Sequence, residues 1–484
     1  MAAMEMSVSM KRWLVCGWIV LVMMLGLSHC TGPIPPSSNE EVSTESTTNM
    51  EPTQKESLLP EEPTVPKLEL VQEVTKELTP EPEDEVAPEP TTEVSDEPEV
   101  KDASPDESVV EAIPEKPAPK LLQESDLVYL GAFLVPQGGK DRATFSYGGY
   151  AMAYNPTNNS LFLGGHHIGF HVGEVSIPKL SKSTNIKDLE RGKLLQPHED
   201  IQKKLKSFDL PQGGGGIRLG DLLVHGNRLI ATYYTYYDAE GKAKKAFAYY
   251  DSLTLKTAKG YGLFAPNVTA GHVAGYLATV PQGWQSVFGK ALCGLSGIPI
   301  ASRQSNGPAI FGFDPSQLGI VDPVPVKAFA DYPLKTPLRD RTKANPVYNA
   351  LSRMNGIVLP KNSRSVLVWG GHGAWDPKTS SVCYGTPQAC NTTSGGKGYH
   401  AKNGQYRYQI WAYDIDKLTQ TNIPPHKQEP YGIWAPKPLF AGGERYFTSV
   451  AYDEVRNIIY VSHAKAEKYG CCGYNPVIYA YTTR

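Results

Sequence analysis

The sequence predicts an all-β protein, a β-propeller for which five blades are favoured, preceded by a disordered acidic linker. Three observations predict this class. Strand-like segments recur head to tail in five similar units, and each unit is rich in β-branched and aromatic residues with Gly, Pro, Asn or Asp at its borders. An apolar segment also stands before the first unit without a partner of its own. Units of three or four short strands at this spacing are typical of propeller blades.

Each unit has an inner strand, a turn, a second apolar strand and a third strand. The inner and second strands are predicted at 150–154 and 161–165, 220–224 and 229–233, 275–279 and 291–293, 356–359 and 366–369, and 449–452 and 458–461. The third strands are predicted at 172–177, 246–250, 309–313, 409–413 and 477–481.

The fifth unit lacks an outer strand because the chain ends after its third strand, whereas outer strands such as 324–329 follow the others. We expect segment 127–133 to fill this place, since ring closure by both chain ends leaves no exposed sheet edge. The third and fourth units contain inserts that could hide a further blade, so a propeller of six or seven blades is also consistent with the sequence. A β-sandwich is the alternative, and the head-to-tail repeat disfavours it.

The chain divides into a signal segment at 1–30, a linker at 31–120 and the propeller at 121–484. Lys11 and Arg12 precede fifteen largely apolar residues, the order found in secretory signals, and this run is short for a membrane span, which needs about twenty. The run 27–30 resembles a bacterial lipobox, in which the cysteine, here Cys30, carries a diacylglycerol. His29 departs from that pattern, so ordinary cleavage and a retained anchor stay open. Each outcome predicts an exported protein: an outer-membrane or cell-envelope lipoprotein, or a periplasmic or extracellular protein.

The linker has neither aromatic residues nor cysteines from 31 to 115, and it carries 24 acidic and 4 basic residues there. Such a segment cannot bury enough apolar surface to offset its chain entropy. Residues 116–484 carry 41 basic and 25 acidic residues. An acidic tail joined to a basic domain indicates either contact between the two or a preference for an anionic partner, such as an acidic cell-envelope glycan. No nucleic-acid motif is present, which argues against a nucleic-acid partner.

The sequence resembles a group of uncharacterised bacterial exported proteins over most of 126–484, and two regions carry the resemblance. The first region comprises 145–149 (FSYGG) and 153–156 (AYNP). The second comprises 305–308 (SNGP) and 313–315 (FDP). The resemblance implies a propeller-like fold and export. It implies no activity.

Histidines follow the second strand in three units, and these units are consecutive around a closed ring. They are His166, His372 and His463, and His272 could enter from the same face. Three converging imidazoles could hold Zn²⁺ or Fe²⁺ and leave a position open for water, which predicts a metal-dependent enzyme as one alternative function. A histidine filling a bulge and bonding a carbonyl is the other interpretation.

A glycoside-active enzyme is the second alternative, because glycosidases with five blades exist. Such enzymes need paired carboxylates near the axis. Asp221 and Glu444 are the best candidates, although structural roles are also open for both. The chain has no Gly-x-Ser-x-Gly elbow, Walker loop or His-Glu-x-x-His motif.

A tethered binding module is the preferred function, with a glycan or another anionic surface component as its ligand. Long loops rich in Tyr, Gly and Asn are expected on the same face, and tyrosine buries a large area at low entropic cost. The candidate ligand-binding residues are Tyr384, Tyr399, Tyr406, Tyr469 and Tyr474.

Export permits disulfides, and four cysteines lie in the same loops. A bridge between Cys383 and Cys390 would close one loop. Cys471 and Cys472 could bridge each other, or each could reach the first loop. Cys293 lies in a predicted strand, where we expect it to be buried and unbridged.

Overall fold

The computed structural model describes residues 119–295, 302–392, 396–440 and 442–484. The predicted signal segment, Cys30 and the linker up to residue 118 lie outside the described residues.

Within these ranges, strands build five four-stranded antiparallel sheets, which are the blades, and two small hairpins. The first strand, β1 (Leu127–Leu134), is followed by the hairpin of β2 (Gly139–Lys140) and β3 (Ala143–Thr144). Blade 1 has β4 (Met152–Asn155), β5 (Ser160–Gly164), β6 (His171–Ser176) and β7 (Leu194–Asp200). Blade 2 has β8 (Gly214–His225), β9 (Arg228–Tyr237), β10 (Phe247–Tyr250) and β11 (Gly260–Phe264).

The three later blades repeat this order. Blade 3 has β12 (Leu277–Thr279), β13 (Ala291–Cys293), β14 (Ile310–Phe313) and β15 (Val326–Ala330). Blade 4 has β16 (Arg353–Val358), β17 (Ser365–Gly373), β20 (Tyr406–Asp414) and β21 (Gly432–Trp434), and its insert forms the hairpin of β18 (Val382–Gly385) and β19 (Gly398–Ala401). Blade 5 has β22 (Ser449–Asp453), β23 (Ile458–Tyr469) and β24 (Gly473–Thr483), with β1 as its outer strand.

In the part of the chain that the structure describes, helices are short and connect the strands. Two single turns of α-helix occur there, α1 (Gln285–Phe288) and α2 (Ile415–Leu418). The 3-10 turns are Glu124–Asp126, Ile186–Asp188, Gln202–Lys204, Ala270–His272, Gln282–Trp284, Pro315–Gln317, Lys402–Gly404 and Pro425–Lys427. Across the ranges that the structure describes, no helix has the length and apolar character needed to cross a bilayer.

The ring is closed by strands from both ends of the chain. β1 pairs antiparallel with β24, so that Leu127 faces Thr483 and Leu134 faces Val477. The predicted five blades and the predicted N-terminal closure are therefore confirmed. The shared sheet covers the edge of β24, which would otherwise offer unpaired backbone groups to another chain.

Asp221 ties the inner strands together where they meet. Its Oδ1 accepts hydrogen bonds from the Met152 amide at 2.9 Å and from Ser449 Oγ at 3.0 Å, and its Oδ2 accepts one from the Leu277 amide at 3.0 Å. Strand β8 is thus bonded to the inner strands of blades 1, 3 and 5. Burial raises the pKa of this fully enclosed carboxyl to about 8, although the backbone amides act in the opposite direction.

Candidate functional site

A cavity of about 590 Å³, here called the central cavity, lies at the end of the ring where inner strands begin and second strands finish. Blades 1, 2, 4 and 5 all contribute to its lining. The side chains that carry its chemistry are Tyr150, His167, Arg218, Tyr234, Tyr236, Arg353, Asn355, His372, Tyr399, His400, Tyr406, Glu444, Arg445, Tyr446 and Lys465.

Six tyrosines make the walls aromatic and also supply hydroxyl groups. Burial raises the pKa of Tyr234 to about 12, and it raises the pKa of Tyr446 as well. Both phenols therefore stay neutral at physiological pH. Such walls offer apolar ring faces and, at their tips, hydrogen-bond donors.

Three arginines from three blades open into the cavity. Arg218 lies in β8, Arg353 begins β16, and Arg445 precedes β22. Among the residues described, none of the three forms an ion pair. Each guanidinium has five N–H donors, so donors remain for an anion entering the cavity.

Aromatic rings and backbone carbonyls hold these guanidinium groups in place. The Arg218 guanidinium lies 5.2 Å from the Tyr236 ring centroid, and that of Arg445 lies 4.5 Å from the Tyr406 centroid. Arg353 donates to the Ser352 carbonyl at 3.1 Å. Stacking of this kind orients an arginine without neutralising its charge.

Glu444 is the one carboxylate in the lining of the central cavity. Its Oε1 accepts hydrogen bonds from the Tyr150 hydroxyl at 2.7 Å and from Lys465 Nζ at 2.5 Å. Burial alone would raise the pKa of Glu444, but the bonds from Lys465 and Tyr150 and the charge of Lys465 hold it below the ordinary value. Glu444 is therefore ionised and already compensated by Lys465, which leaves the three arginine charges unmatched.

A bulge in β23 brings Lys465 to this position. The register of β23 and β24 shifts between His463 and Glu467, and Lys465 has a positive φ of 62°. A bulge of this kind redirects a side chain and is frequent beside functional sites. A side chain at Gly443 would come within 2.6 Å of the Ala464 carbonyl, so the backbone ahead of Glu444 fits closely against the bulge.

The four histidines of the metal hypothesis take part in other contacts. His372 is buried, with Nδ1 at 2.8 Å from Ser352 Oγ and Nε2 at 2.7 Å from the Asn345 carbonyl. Burial lowers its pKa to about 4. The ring of His166 stacks on that of His167, with centroids 4.8 Å apart.

The other two histidines are also bonded. His463 Nε2 lies 2.9 Å from both the Tyr408 hydroxyl and the Glu444 carbonyl, and His272 Nδ1 lies 2.7 Å from Asp331 Oδ1. Of the four, His372 alone lines the central cavity. The described part of the chain contains no group of three or more His, Cys, Asp or Glu residues placed to hold a metal ion. The zinc or iron site stays a prediction.

The two carboxylates proposed as a glycosidase pair are not brought together. Glu444 lines the central cavity, whereas Asp221 is fully enclosed between the inner strands and does not. The hydrogen bonds of Asp221 join the inner strands of different blades, which explains why its carboxyl group lies between the strands and not in the cavity.

The five candidate tyrosines separate into two groups. Tyr399 and Tyr406 line the central cavity, and Tyr384, Tyr469 and Tyr474 do not. Tyr384 is 62% exposed on the β18–β19 hairpin, where its ring meets that of Tyr399 edge to face at 4.9 Å. The hairpin therefore connects an exposed aromatic side chain to the cavity wall.

The cysteines of the blade 4 insert are bridged as predicted. Cys383 and Cys390 form a disulfide. Cys293 is buried in β13 without a disulfide, and burial raises its pKa. Cys471 and Cys472 are exposed in the turn between β23 and β24, and bridges involving them stay a prediction.

Sequence reasoning missed most of the charged lining. The missed residues are Tyr150, His167, Arg218, Tyr234, Tyr236, Arg353, Asn355, His400, Arg445, Tyr446 and Lys465. One signal was available, since in four units an arginine or tyrosine stands at or within a few residues before the predicted inner strand. Within a closed ring, these positions all lie at one end.

Fold and site together define a five-bladed propeller with a basic, tyrosine-lined central cavity. No family model and no curated protein matches the chain. The predicted resemblance to an uncharacterised exported family therefore rests on the short regions given above.

Solved propeller-like structures resemble the chain distantly. An exo-1,5-alpha-L-arabinanase from a bovine ruminal metagenomic library is 7% identical, with 71% of this chain and 95% of that chain covered and a TM-score of 0.32. A putative glycoside hydrolase from Bacteroides ovatus is 12% identical, with 73% and 96% covered and a TM-score of 0.32. A protein of unknown function from Dyadobacter fermentans is 9% identical, with 74% and 100% covered and a TM-score of 0.30.

Proposed function

We propose that the domain binds an anionic glycan in the central cavity. The observation that carries this proposal is the set of three arginines on one aromatic-walled cavity, Arg218, Arg353 and Arg445, which form no ion pair with any residue that the structure describes. Arginine pairs with a carboxylate through two parallel hydrogen bonds, and tyrosine rings pack against the apolar faces of sugars. A ligand with sugar rings and acidic groups would satisfy both features.

We also propose that this binding takes place outside the cytoplasm, at the cell envelope. The order of basic, apolar and small residues in 1–30 supports export, and Cys30 supports attachment through a lipid. Fatty-acid labelling of the full chain that persists in Cys30→Ser would contradict lipidation at that cysteine.

Titration of the full chain with sialyllactose, oligogalacturonate and neutral lactose tests the glycan proposal. We expect at least one of the two acidic saccharides to bind and lactose to bind much more weakly. Arg353→Gln and Arg218→Gln should each weaken binding of that saccharide about tenfold, because each removes a charge-assisted hydrogen bond.

Arg228→Gln is the matched control. The Arg228 guanidinium also stacks on a tyrosine, at 4.4 Å from the Tyr249 centroid, but it lies at the β8–β9 turn, at the opposite end of these strands. Equal affinity for acidic and neutral saccharides, or equal effects of Arg353→Gln and Arg228→Gln, would reject the proposal.

A further inference from the structure

The pairing of Tyr150 with Glu444 has a chemical meaning beyond binding. Tyr150 precedes β4 of blade 1, and Glu444 precedes β22 of blade 5, so that two neighbouring blades each contribute one member. The phenol donates directly to the carboxylate at 2.7 Å. This is the geometry in which a base takes the proton of an attacking hydroxyl group.

The position of Glu444 is fixed from its backbone. Its carbonyl accepts hydrogen bonds from the Tyr408 hydroxyl at 2.8 Å and from His463 Nε2 at 2.9 Å, and its amide donates to the Ala464 carbonyl at 3.0 Å. Lys465 Nζ donates to the same carboxylate oxygen, Oε1, that accepts from Tyr150. A group held in this way needs little reorganisation during a reaction.

The charge of the cavity favours a phenol over a carboxylate as nucleophile. Glu444 is the single carboxylate of the lining and is compensated by Lys465, so the usual pair of carboxylates is missing from it. An acidic sugar held by three arginines would be repelled by a carboxylate nucleophile but not by a neutral phenol. A tyrosine nucleophile is an established alternative to the carboxylate pair in glycoside hydrolysis.

We propose that the central cavity hydrolyses glycosides of a carboxylated sugar, with Tyr150 as the nucleophile and Glu444 as its base. This inference rests on the proposed function, because the sugar carboxylate must first be held by Arg218, Arg353 and Arg445.

The reaction has two balanced steps. In the first, Tyr150 Oη bonds to the anomeric carbon, its proton passes to Glu444 Oε1, the bond to the leaving oxygen breaks, and that oxygen takes a proton from water. In the second, the resulting hydroxide attacks the anomeric carbon, the bond to Tyr150 Oη breaks, and Glu444 returns the proton to the phenolate. One glycoside and one water give one sugar and one alcohol, with the anomeric configuration retained.

The test uses the full chain and the 4-methylumbelliferyl glycosides of N-acetylneuraminic, glucuronic and galacturonic acid, whose aryl group leaves without acid assistance. We expect release of the fluorophore from at least one of them. Tyr150→Phe and Glu444→Gln should each lower kcat/KM at least about 100-fold. Tyr150→Phe should retain affinity for the acidic saccharide, because the arginines are unchanged.

Covalent trapping supplies a second measurement. A fluorinated glycosyl fluoride of the same sugar should add one glycosyl mass to the wild type at the peptide that contains Tyr150. Tyr261→Phe is the matched control, since it removes a phenol that bonds a carboxylate, Asp251 at 3.4 Å, outside the central cavity. It should leave turnover unchanged. Thermal unfolding confirms that each variant is folded.

The outcomes separate the two proposals. Binding of the acidic saccharide with neither turnover nor adduct would overturn the catalytic inference and leave the binding function intact. Turnover that survives in Tyr150→Phe would overturn the role of Tyr150. If the wild type neither binds nor cleaves any of the acidic probes, both proposals fail.

Discussion

Asp221 shows how one residue organises the centre of the ring. Its two oxygens accept from Met152, Leu277 and Ser449, so three neighbouring or facing inner strands depend on one carboxyl group. In Asp221→Asn, an amide NH2 group replaces one of the two oxygens that accept these hydrogen bonds. One donor of the neighbouring strands then faces another donor. We expect the free energy of unfolding to fall by about 1–3 kcal/mol, measured by chemical denaturation. Glu190→Gln, at an exposed position, should change it little.

The same residue predicts a pH dependence. Burial raises the folded-state pKa of Asp221 to about 8, and the unfolded value is about 3.9. The folded protein thus binds this proton more tightly than the unfolded chain does, and its contribution is lost as pH rises through about 8. We expect the stability difference between wild type and Asp221→Asn to shrink between pH 5 and pH 9. A difference that grows over this range would show that Asp221 is ionised in the fold.

Residues with positive φ separate into two kinds. Of the eight non-glycine cases among the described residues, five are Asn or Asp, which tolerate this conformation in turns, and the other three are Tyr147, Ala374 and Lys465. Lys465 pairs with Glu444, and its Nζ lies 6.0 Å from the Tyr147 ring centroid. Two of these three cases are thus next to the central cavity, where strained backbone is most often retained for function.

At the scale of single elements, the β18–β19 hairpin lines part of the cavity but is a two-stranded sheet of its own, outside the five blades. The disulfide Cys383–Cys390 closes a short loop, and Tyr399 on β19 faces the cavity. Because a bridge restricts the unfolded chain, closing such a loop contributes about 2–3 kcal/mol to local stability. We expect Cys383→Ser/Cys390→Ser to weaken saccharide binding and speed hydrogen exchange in the hairpin, while the unfolding midpoint of the blades changes little.

A large fall in the unfolding midpoint in that double variant would instead mean that the hairpin supports the ring. The corresponding single change Cys293→Ser is a contrasting control. Cys293 is buried in β13, so a polar replacement should lower the midpoint without a specific effect on the hairpin.

Strands were predictable because their signals are local. Alternating β-branched and aromatic residues between turn residues located the inner, second and third strands of all five blades, and the unpaired end of blade 5 located β1. The cavity was not predictable from the sequence, because its positive charge comes from Arg218, Arg353 and Arg445. Any two of these arginines are more than ninety residues apart in the sequence. Ring closure brings them together, and the arginines and tyrosines near the start of four inner strands do not by themselves show that they share one cavity.

At the scale of the whole molecule, closure depends on β1. Deleting 119–134 would expose the edge of β24 along its whole pairing with β1. We expect this variant to unfold at a lower temperature and to aggregate, measured by thermal unfolding and light scattering. Deleting 31–115 leaves β1 in place and should keep the wild-type midpoint. Equal behaviour of the two deletions would show that closure contributes little.

The position of β1 also decides how the protein can be attached to a support. Leu127 faces Thr483, and the Arg484 amide donates to the Asp126 carbonyl at 3.1 Å, so the described chain enters and leaves the ring side by side. Both points lie at one end of blade 5, and Gly473, where β24 begins, lies at the other end. Lys465 approaches the cavity from the Gly473 end. Immobilisation through Arg484, on a sensor chip or through a fusion partner, therefore places the support at the end of blade 5 away from the cavity.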